Sequence, residues 1–369
     1  MILYLLVFLF STLCTYLAFK TKDKVSASIL LVFAFLAPVV LAGCRNDSVG
    51  TDVLLYGTKT FYNATQSNTF LQYYTNQLYS FSNEIEVLYL LLNFVVTRFT
   101  NDFNIYLFIV HFILMTLVYL TAYDYRDSFP PHLFILIFFL LYFNESLCFL
   151  RQAFSVVLFL YSYKYVLTNK PFKYYIFVLL AIGFHNSALL LVVIYPLQLL
   201  INSQEKHIFR LQIIVILVSI VLYNFYAYLV VFMTSSGILS VKYNAYIMQD
   251  FKTHKTDVIF CILIYFLLFL KRSKIFAIDN SVNILRIYLP ICLLFILMGS
   301  FTDVATRVAD YLYMVIIIVT CIFIKHLKFS HILIYSFIIV FLLINYIYLS
   351  LQYNHAGTIP YTSSLLNIK

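Results

Sequence analysis

Four short stretches of this sequence place charged or ionisable side chains beside long apolar runs. A charged side chain deep in a membrane costs about 2.5 to 3.5 kcal/mol even on a lenient insertion scale. Side chains that tolerate this cost normally face a cavity or a partner, so each stretch is a candidate site. The stretches are "RNDSVGTDVLLY" with Arg45, "LRQAF" with Arg151, "GFHNSA" with His185 and "ATRVADYL" with Arg307.

The first stretch combines Arg45, Gly50, Asp52 and Tyr56. Gly50 allows a backbone turn that other residues resist. Asp52 could brace Arg45 or accept hydroxyl donors such as those of a sugar. The alternative interpretation is a helix end capped by a polar loop, as at any exit from a membrane.

The second stretch is Arg151-Gln152, which lies between two apolar runs. The planar guanidinium fork suits bidentate recognition of a phosphate group. The alternative is an arginine at the membrane interface that pairs with Glu145, six residues earlier in the chain.

The third stretch lies inside residues 173–201, which are too many for one span and too apolar for two spans with an ordinary loop. Gly183 and Ser187, a plausible N-cap, predict a broken helix pair with His185 at its apex. Histidine titrates near neutral pH, so His185 could act as a general base. A lone histidine with a structural role is the alternative.

The fourth stretch begins a span with Arg307, Asp310 and Tyr311. Asp303 precedes Arg307 by four residues, so a local ion pair is the alternative to a binding role. In the tail, Pro360-Tyr361 predicts a turn.

The composition is that of a polytopic membrane protein. The chain has 369 residues, is 63% hydrophobic and is only 11% charged, against about 25% charged residues in soluble domains. The net charge of +9 is concentrated in short loops of one face, which is the positive-inside pattern and argues against a nucleic-acid partner. Six scattered cysteines predict neither a disulfide framework nor a zinc site.

We therefore predict an all-α helical bundle, forming a single integral membrane domain over residues 1–369. Segment 84–99 is short and begins with two carboxylates. If this segment does not cross the membrane, all the Lys-rich loops lie on one side, as the positive-inside rule requires. These loops are 20–24, 170–173, 206–210, 271–274 and 325–328. We interpret segment 84–99 as a re-entrant or interfacial helix. Both termini are then outside, with outer loops 43–83 and 233–257 and an outer tail 352–369. The 12 predicted spans are 2–19, 26–42, 103–121, 132–147, 151–168, 173–184, 186–201, 211–232, 258–270, 282–299, 307–324 and 331–351.

Several motifs are missing from the sequence. It has no phosphate-binding loop G-x-x-x-x-G-K-[ST], no G-x-G-x-x-G, no H-E-x-x-H and no D-x-D. Nucleotide hydrolysis, dinucleotide redox chemistry and metal-dependent use of nucleotide sugars therefore have no visible site. Several arginines on one face of a membrane bundle instead indicate an anionic, lipid-borne substrate.

The order of five motifs resembles the EpsG family of Wzy-like polysaccharide polymerases. These are "RNDSVGTDVLLY", "RQAFSVVL", "FHNSALLLVVIYPL", "ATRVADYL" and a closing "PYTS", from about residue 41 to the tail. Val53 departs from the bulkier residue that the family often has there. The resemblance implies a GT-C-like bundle in the bacterial cytoplasmic (inner) membrane. It also implies a glycosyltransferase that polymerises undecaprenyl-diphosphate-linked oligosaccharide repeat units, with neither cofactor nor metal, for a capsule, an exopolysaccharide or an O-antigen.

The resemblance also implies roles for the candidate residues. Arg151 and Arg307 would bind the diphosphate, with Arg45 a third contact or a partner of Asp52, and His185 would take the acceptor proton, with Asp52 as the competing base. We expect these groups to converge in one pocket that opens to the cell exterior. Other predicted substrate-binding residues are Gly50, Tyr56, Gln152, Ser187 and Tyr311.

Two other functions fit the same substrate. An oligosaccharide ligase would hand finished polymer to another acceptor, and a flippase or transporter would need the basic residues but no proton acceptor. A membrane O-acetyltransferase is disfavoured, because no histidine of an early span accompanies an arginine in the expected order. The lipid bilayer is an expected partner, and a chain-length regulator and a flippase are candidate protein partners.

Overall fold

The described part of the protein is helical. A computed structural model describes residues 1–80, 85–203, 207–236, 255–270, 281–300, 303–325 and 331–368. No β-strand occurs in these ranges, where the only extended pairing is one isolated bridge between Ser363 and Ile368. A helix pairs its backbone groups within one segment, apart from those at its two ends, as a lipid environment requires. The prediction of an all-α membrane protein is confirmed.

Sixteen α-helices are assigned in the described ranges, together with two π-helical segments, Val53–Gly57 and Phe139–Phe143, and one 3₁₀ helix, Asn186–Val193. Their bounds are α1 Ile2–Lys20, α2 Lys24–Gly43, α3 Thr58–Thr65, α4 Phe70–Ser80, α5 Val87–Val96, α6 Phe103–Asp124, α7 Pro131–Phe138, α8 Asn144–Cys148, α9 Leu150–Leu167, α10 Pro171–Phe184, α11 Ile194–Ser203, α12 Ile208–Ser235, α13 Lys255–Leu270, α14 Ser281–Met298, α15 Asp303–Lys325 and α16 His331–Gly357.

Seven of the described helical stretches are long and apolar enough to cross a membrane. The predicted spans 173–184, 258–270 and 282–299 correspond to shorter apolar stretches, Pro171–Phe184, Thr256–Tyr265 and Asn283–Met298. The chain is a multi-pass membrane protein, and the number of 12 spans stays a prediction. The seven stretches are Ile2–Lys20, Lys24–Gly43, Phe103–Asp124, Pro131–Cys148, Asn186–Ser203, Ile208–Tyr226 and Tyr335–Gly357.

The chain forms two compact units. The first contains Met1–Lys164, Phe172–Asn186 and Ile332–Lys369, and the second contains Tyr165–Pro171 and Ser187–His331. The single membrane domain predicted from the sequence stays a prediction. Of the predicted outer loop 233–257, residues 237–254 lie outside the described residues. The same holds for residue 206, residues 271–274 and residues 326–328 of three predicted Lys-rich loops.

The segment predicted as outer loop 43–83 is largely helical where it is described. It contains the π-helical segment Val53–Gly57 and helices α3 and α4. Phe61 and Ala64, three residues apart on α3, are buried, and the Tyr73 hydroxyl of α4 donates to the Thr60 carbonyl at 2.9 Å. This apolar face therefore packs the polar segment into the interior of the first unit.

Helix α5 is too short to span hydrocarbon. Its ten residues cover about 15 Å, half of the roughly 30 Å core of a bilayer. The Asn104 side-chain amide, at the start of α6, donates to the carbonyls of Gly43 and Arg45, both at 2.8 Å. Residues 43 and 104 are therefore close together, and the interpretation of segment 84–99 as a re-entrant or interfacial helix stays a prediction.

The C-terminal tail holds the turn at Gly50. The Gly50 N–H donates to the Gly357 carbonyl at 3.0 Å, and the Asn46 N–H donates to the Thr362 carbonyl at 2.9 Å. Gly50 has a φ of +99°, and a Cβ there would lie 2.9 Å from the Leu147 carbonyl oxygen. Both facts require glycine at this position.

Candidate active site

One buried carboxylate joins two of the predicted site residues. Glu86 Oε2 accepts a hydrogen bond from Arg151 Nη1 at 2.7 Å, and Glu86 Oε1 lies 3.0 Å from His185 Nδ1. Oε1 also accepts the backbone N–H of Asn186 at 3.0 Å. All four residues belong to the first unit. We call the Arg151, Glu86 and His185 side chains the Arg–Glu–His cluster.

The packing of α9 against α10 brings Arg151 and His185 to neighbouring helix ends. The Ser155 hydroxyl of α9 donates to the Ala181 carbonyl of α10 at 2.6 Å, and the rings of Phe154 and Phe184 stack with centroids 4.4 Å apart. Arg151 lies one turn before Ser155, and His185 follows α10 directly. Both side chains therefore project at the same end of this helix pair.

Helix α5 places the carboxylate of Glu86 at that end of the α9–α10 pair. Glu86 is the N-cap residue of α5, but its side chain does not cap its own helix. It instead accepts the N–H of Asn186, the first residue of the 3₁₀ helix Asn186–Val193. A Cβ on Gly183 would lie 2.5 Å from Leu88 Cδ1. Glycine at this position therefore allows α10 to approach α5 at Leu88, two residues after Glu86.

Tyr56 covers the guanidinium of Arg151. Arg151 Cζ lies 4.4 Å from the centroid of the Tyr56 ring, within the range of a cation–π interaction. Tyr56 belongs to the π-helical segment Val53–Gly57, and Asp52 is its N-cap; π-helical turns are frequent at functional sites. Burial, and after it the charge of Asp52, raises the pKa of Tyr56 well above its ordinary value, so the phenol keeps its proton at neutral pH.

The Arg–Glu–His cluster is largely enclosed, and its carboxylate is ionised. The side chains of Arg151, His185 and Glu86 are 16%, 12% and 5% exposed. Burial raises the pKa of Glu86, but the hydrogen bond from His185 and the charge of Arg151 outweigh it, and the pKa falls to about 2. The ionised carboxylate therefore contributes to the free energy of unfolding at any pH above the pKa that Glu86 has in the unfolded chain. This contribution is lost as the pH falls through the folded-state pKa of about 2.

Arg45 lies among backbone carbonyls. Its guanidinium is fully buried, with Nη1 donating to the Ala42 carbonyl at 2.5 Å and Nη2 to the Leu147 carbonyl at 3.0 Å. Burial lowers its pKa to about 10, so it is charged at neutral pH. These contacts tie α2 to the end of α8. The role of Arg45 as a substrate contact stays a prediction.

Three further candidates belong to the second unit. The Ser187 hydroxyl lies 3.0 Å from the Tyr311 hydroxyl, so these two predicted residues form a hydrogen bond. Arg307, one turn before Tyr311 on α15, is half-buried. The side chain of Asp303, the predicted ion-pair partner of Arg307, lies outside the described residues. Gln152, the remaining candidate, is buried next to Arg151 in the first unit.

Sequence reasoning did not single out Glu86 as a site residue. The signal was its position in "EIEVLYLLL", directly before an apolar run, where a carboxylate requires a partner. Within the described ranges, no group of three or more His, Cys, Asp or Glu side chains is placed to hold a metal ion.

The fold and this cluster define a class of protein: a multi-pass helical membrane protein in which an arginine, a carboxylate and a histidine are largely enclosed at the ends of helices. The family model described as "EpsG family" matches residues 28–363. The chain therefore belongs to the EpsG family, and it is a membrane protein of polysaccharide biosynthesis, of the glycosyltransferase-like polymerase type. No curated protein and no solved structure matches the chain.

Proposed function

We propose that the protein polymerises undecaprenyl-diphosphate-linked oligosaccharide repeat units at the outer face of the bacterial cytoplasmic membrane. Membership of the EpsG family supports the reaction type. The observation that carries the site assignment is the carboxylate of Glu86, which holds Arg151 and His185 together although they come from different helices. A cation for a leaving diphosphate and a proton acceptor are the two groups that this reaction needs.

The proposed reaction transfers the growing chain to a new repeat unit. The acceptor hydroxyl oxygen attacks the anomeric carbon of the donor, the bond from that carbon to the diphosphate breaks, and undecaprenyl diphosphate leaves. Negative charge builds on the leaving diphosphate, and a cation already in place stabilises it. Arg151 is proposed to supply that charge, because its guanidinium presents five N–H donors in a fork that matches phosphate oxygens.

His185 is proposed to accept the proton of the attacking hydroxyl. A positioned general base contributes about 10²- to 10⁴-fold to such a step. Asp52, the N-cap of the π-helical segment that carries Tyr56, is the competing base. Because the donor sugar is already activated by its diphosphate, the proposed reaction uses no nucleotide sugar, no other cofactor and no obligatory metal.

The remaining candidates are proposed to bind the substrates. Arg307 is the proposed second cation for the diphosphate, and Ser187, Tyr311 and Gln152 are proposed to contact sugar hydroxyls. The hydrogen bond between Ser187 and Tyr311 supports a shared role for that pair. A chain-length regulator and a flippase are the proposed protein partners, since one limits the product and the other delivers the substrate.

The lipid-linked intermediates of a deletion strain test this function. We expect single repeat units to accumulate on undecaprenyl diphosphate at the outer face, because flipping continues while chain growth stops. Repeat units retained at the inner face would indicate a flippase instead. Full-length polymer that remains on its lipid would indicate a ligase, and unchanged intermediates would contradict any role in this pathway.

A further inference from the structure

Glu86 contacts three donors and can itself only accept hydrogen bonds. An ionised carboxylate has no proton to donate, and Glu86 is ionised at neutral pH because of its partners. The nitrogen of His185 that faces it, Nδ1 at 3.0 Å, must therefore carry a proton. In the neutral imidazole the other nitrogen, Nε2, then has the free lone pair.

We propose that Glu86 is a positioning residue that fixes the proton of His185 on Nδ1 and so makes Nε2 the atom that takes the acceptor proton. This inference rests on the proposed function, in which His185 is the general base. Two further contacts orient the carboxylate itself: Arg151 Nη1 holds Oε2 and the Asn186 N–H holds Oε1. Glu86 therefore cannot turn without breaking one of them.

The proton balance of the step follows from this geometry. The acceptor hydroxyl loses its proton to Nε2 as its oxygen forms the glycosidic bond, and the ring becomes an imidazolium. The carboxylate of Glu86 is already ionised, and its Oε1 lies 3.0 Å from Nδ1. It stabilises the positive charge of the imidazolium without becoming protonated itself. The imidazolium returns its extra proton to water once undecaprenyl diphosphate has left.

A purely structural role for Glu86 is the competing explanation, because its carboxylate also caps the 3₁₀ helix Asn186–Val193. The variant Glu86→Gln distinguishes the two roles by the tautomer of the His185 ring, which loss of the cap alone does not reverse. A charge-assisted hydrogen bond is about twice as strong as a neutral one, so Arg151 will draw the amide oxygen of Gln to itself. The NH₂ group then takes the position of Oε1, so the hydrogen bond from the Asn186 N–H is lost as well. It donates to Nδ1 of His185, and the ring proton moves to Nε2.

Nitrogen-15 spectra of the full-length protein with labelled histidine read this change directly. The signals of His185, one of eight histidines, are those that disappear in His185→Gln. We expect a protonated Nδ1 and an unprotonated Nε2 in the wild-type protein at pH 7, and the reverse in Glu86→Gln. The kcat for lipid-linked repeat units should fall about 10²- to 10⁴-fold, with KM little changed. Asp127→Asn, which removes an exposed carboxylate, should leave both the spectrum and kcat unchanged.

Three results would overturn the proposal. A wild-type ring protonated on both nitrogens, or on Nε2 alone, shows that Nε2 is not the acceptor, and this spectrum is informative even if Glu86→Gln does not fold. An unchanged ring in a folded Glu86→Gln protein shows that Glu86 does not set the tautomer. A reversed ring with full kcat shows that His185 is not the base. The deletion strain tests the polymerase function separately, so failure of the inference and failure of the function are distinguishable.

Discussion

Arg151→Ala is expected to stop polymer growth, with kcat/KM for lipid-linked repeat units falling about 10²- to 10³-fold. The substitution removes the cation proposed to stabilise the leaving diphosphate, and it removes the charged partner 2.7 Å from Glu86. Incorporation of repeat units into polymer by the reconstituted protein in vesicles measures the effect. Arg151→Lys keeps the charge but loses the planar fork, so we expect a smaller loss, about tenfold, with the protein folded.

Arg126→Ala is the matched control for this prediction. Arg126 is more exposed, and its guanidinium lies over the Tyr123 ring with Cζ 4.0 Å from the centroid. Its loss should leave polymerisation at the wild-type rate. Full-length polymer made at the wild-type rate by folded Arg151→Ala protein would remove Arg151 from the proposed site.

His185→Gln is expected to lower kcat about 10²- to 10⁴-fold, because it removes the proposed proton acceptor. Gln still offers its side-chain NH₂ to Glu86, so the cluster keeps a hydrogen bond where Nδ1 had one and the protein should insert normally. The KM should change little, since a base acts on the transition state more than on substrate binding. The same vesicle assay, run at saturating substrate, measures kcat.

His207→Gln is the control, because His207 is exposed just before α12 and belongs to no proposed site. Asp52→Asn tests the competing base in parallel. If His185→Gln keeps the wild-type kcat while Asp52→Asn loses it, the base is Asp52 and the assignment of His185 is wrong.

The fold class could be predicted from composition and pattern. Apolar runs near span length recur along the chain, and lipid offers no partner for unpaired backbone groups, which indicates helices. The described ranges are helical. The sequence also singled out Arg151 and His185 for a physical reason, since a polar side chain inside an apolar run carries a cost that a partner must offset.

The partner itself could not be predicted, because it depends on packing between distant segments. Glu86 is 65 residues from Arg151 and 99 from His185, and only the approach of α5 to the α9–α10 pair brings them together. The surroundings of Arg45 depend likewise on the Leu147 carbonyl, 102 residues away. The helices in segment 43–83 were hidden because their apolar faces are short and interrupted by polar residues.

The most direct test of the central claim is an experimental density map of the protein with a bound undecaprenyl-diphosphate-linked repeat unit. We predict the diphosphate oxygens within hydrogen-bond distance of the Arg151 guanidinium, and a sugar hydroxyl of the acceptor facing Nε2 of His185. A map in which the substrate lies elsewhere, with the Arg151, Glu86 and His185 side chains enclosed and remote from it, would contradict the account.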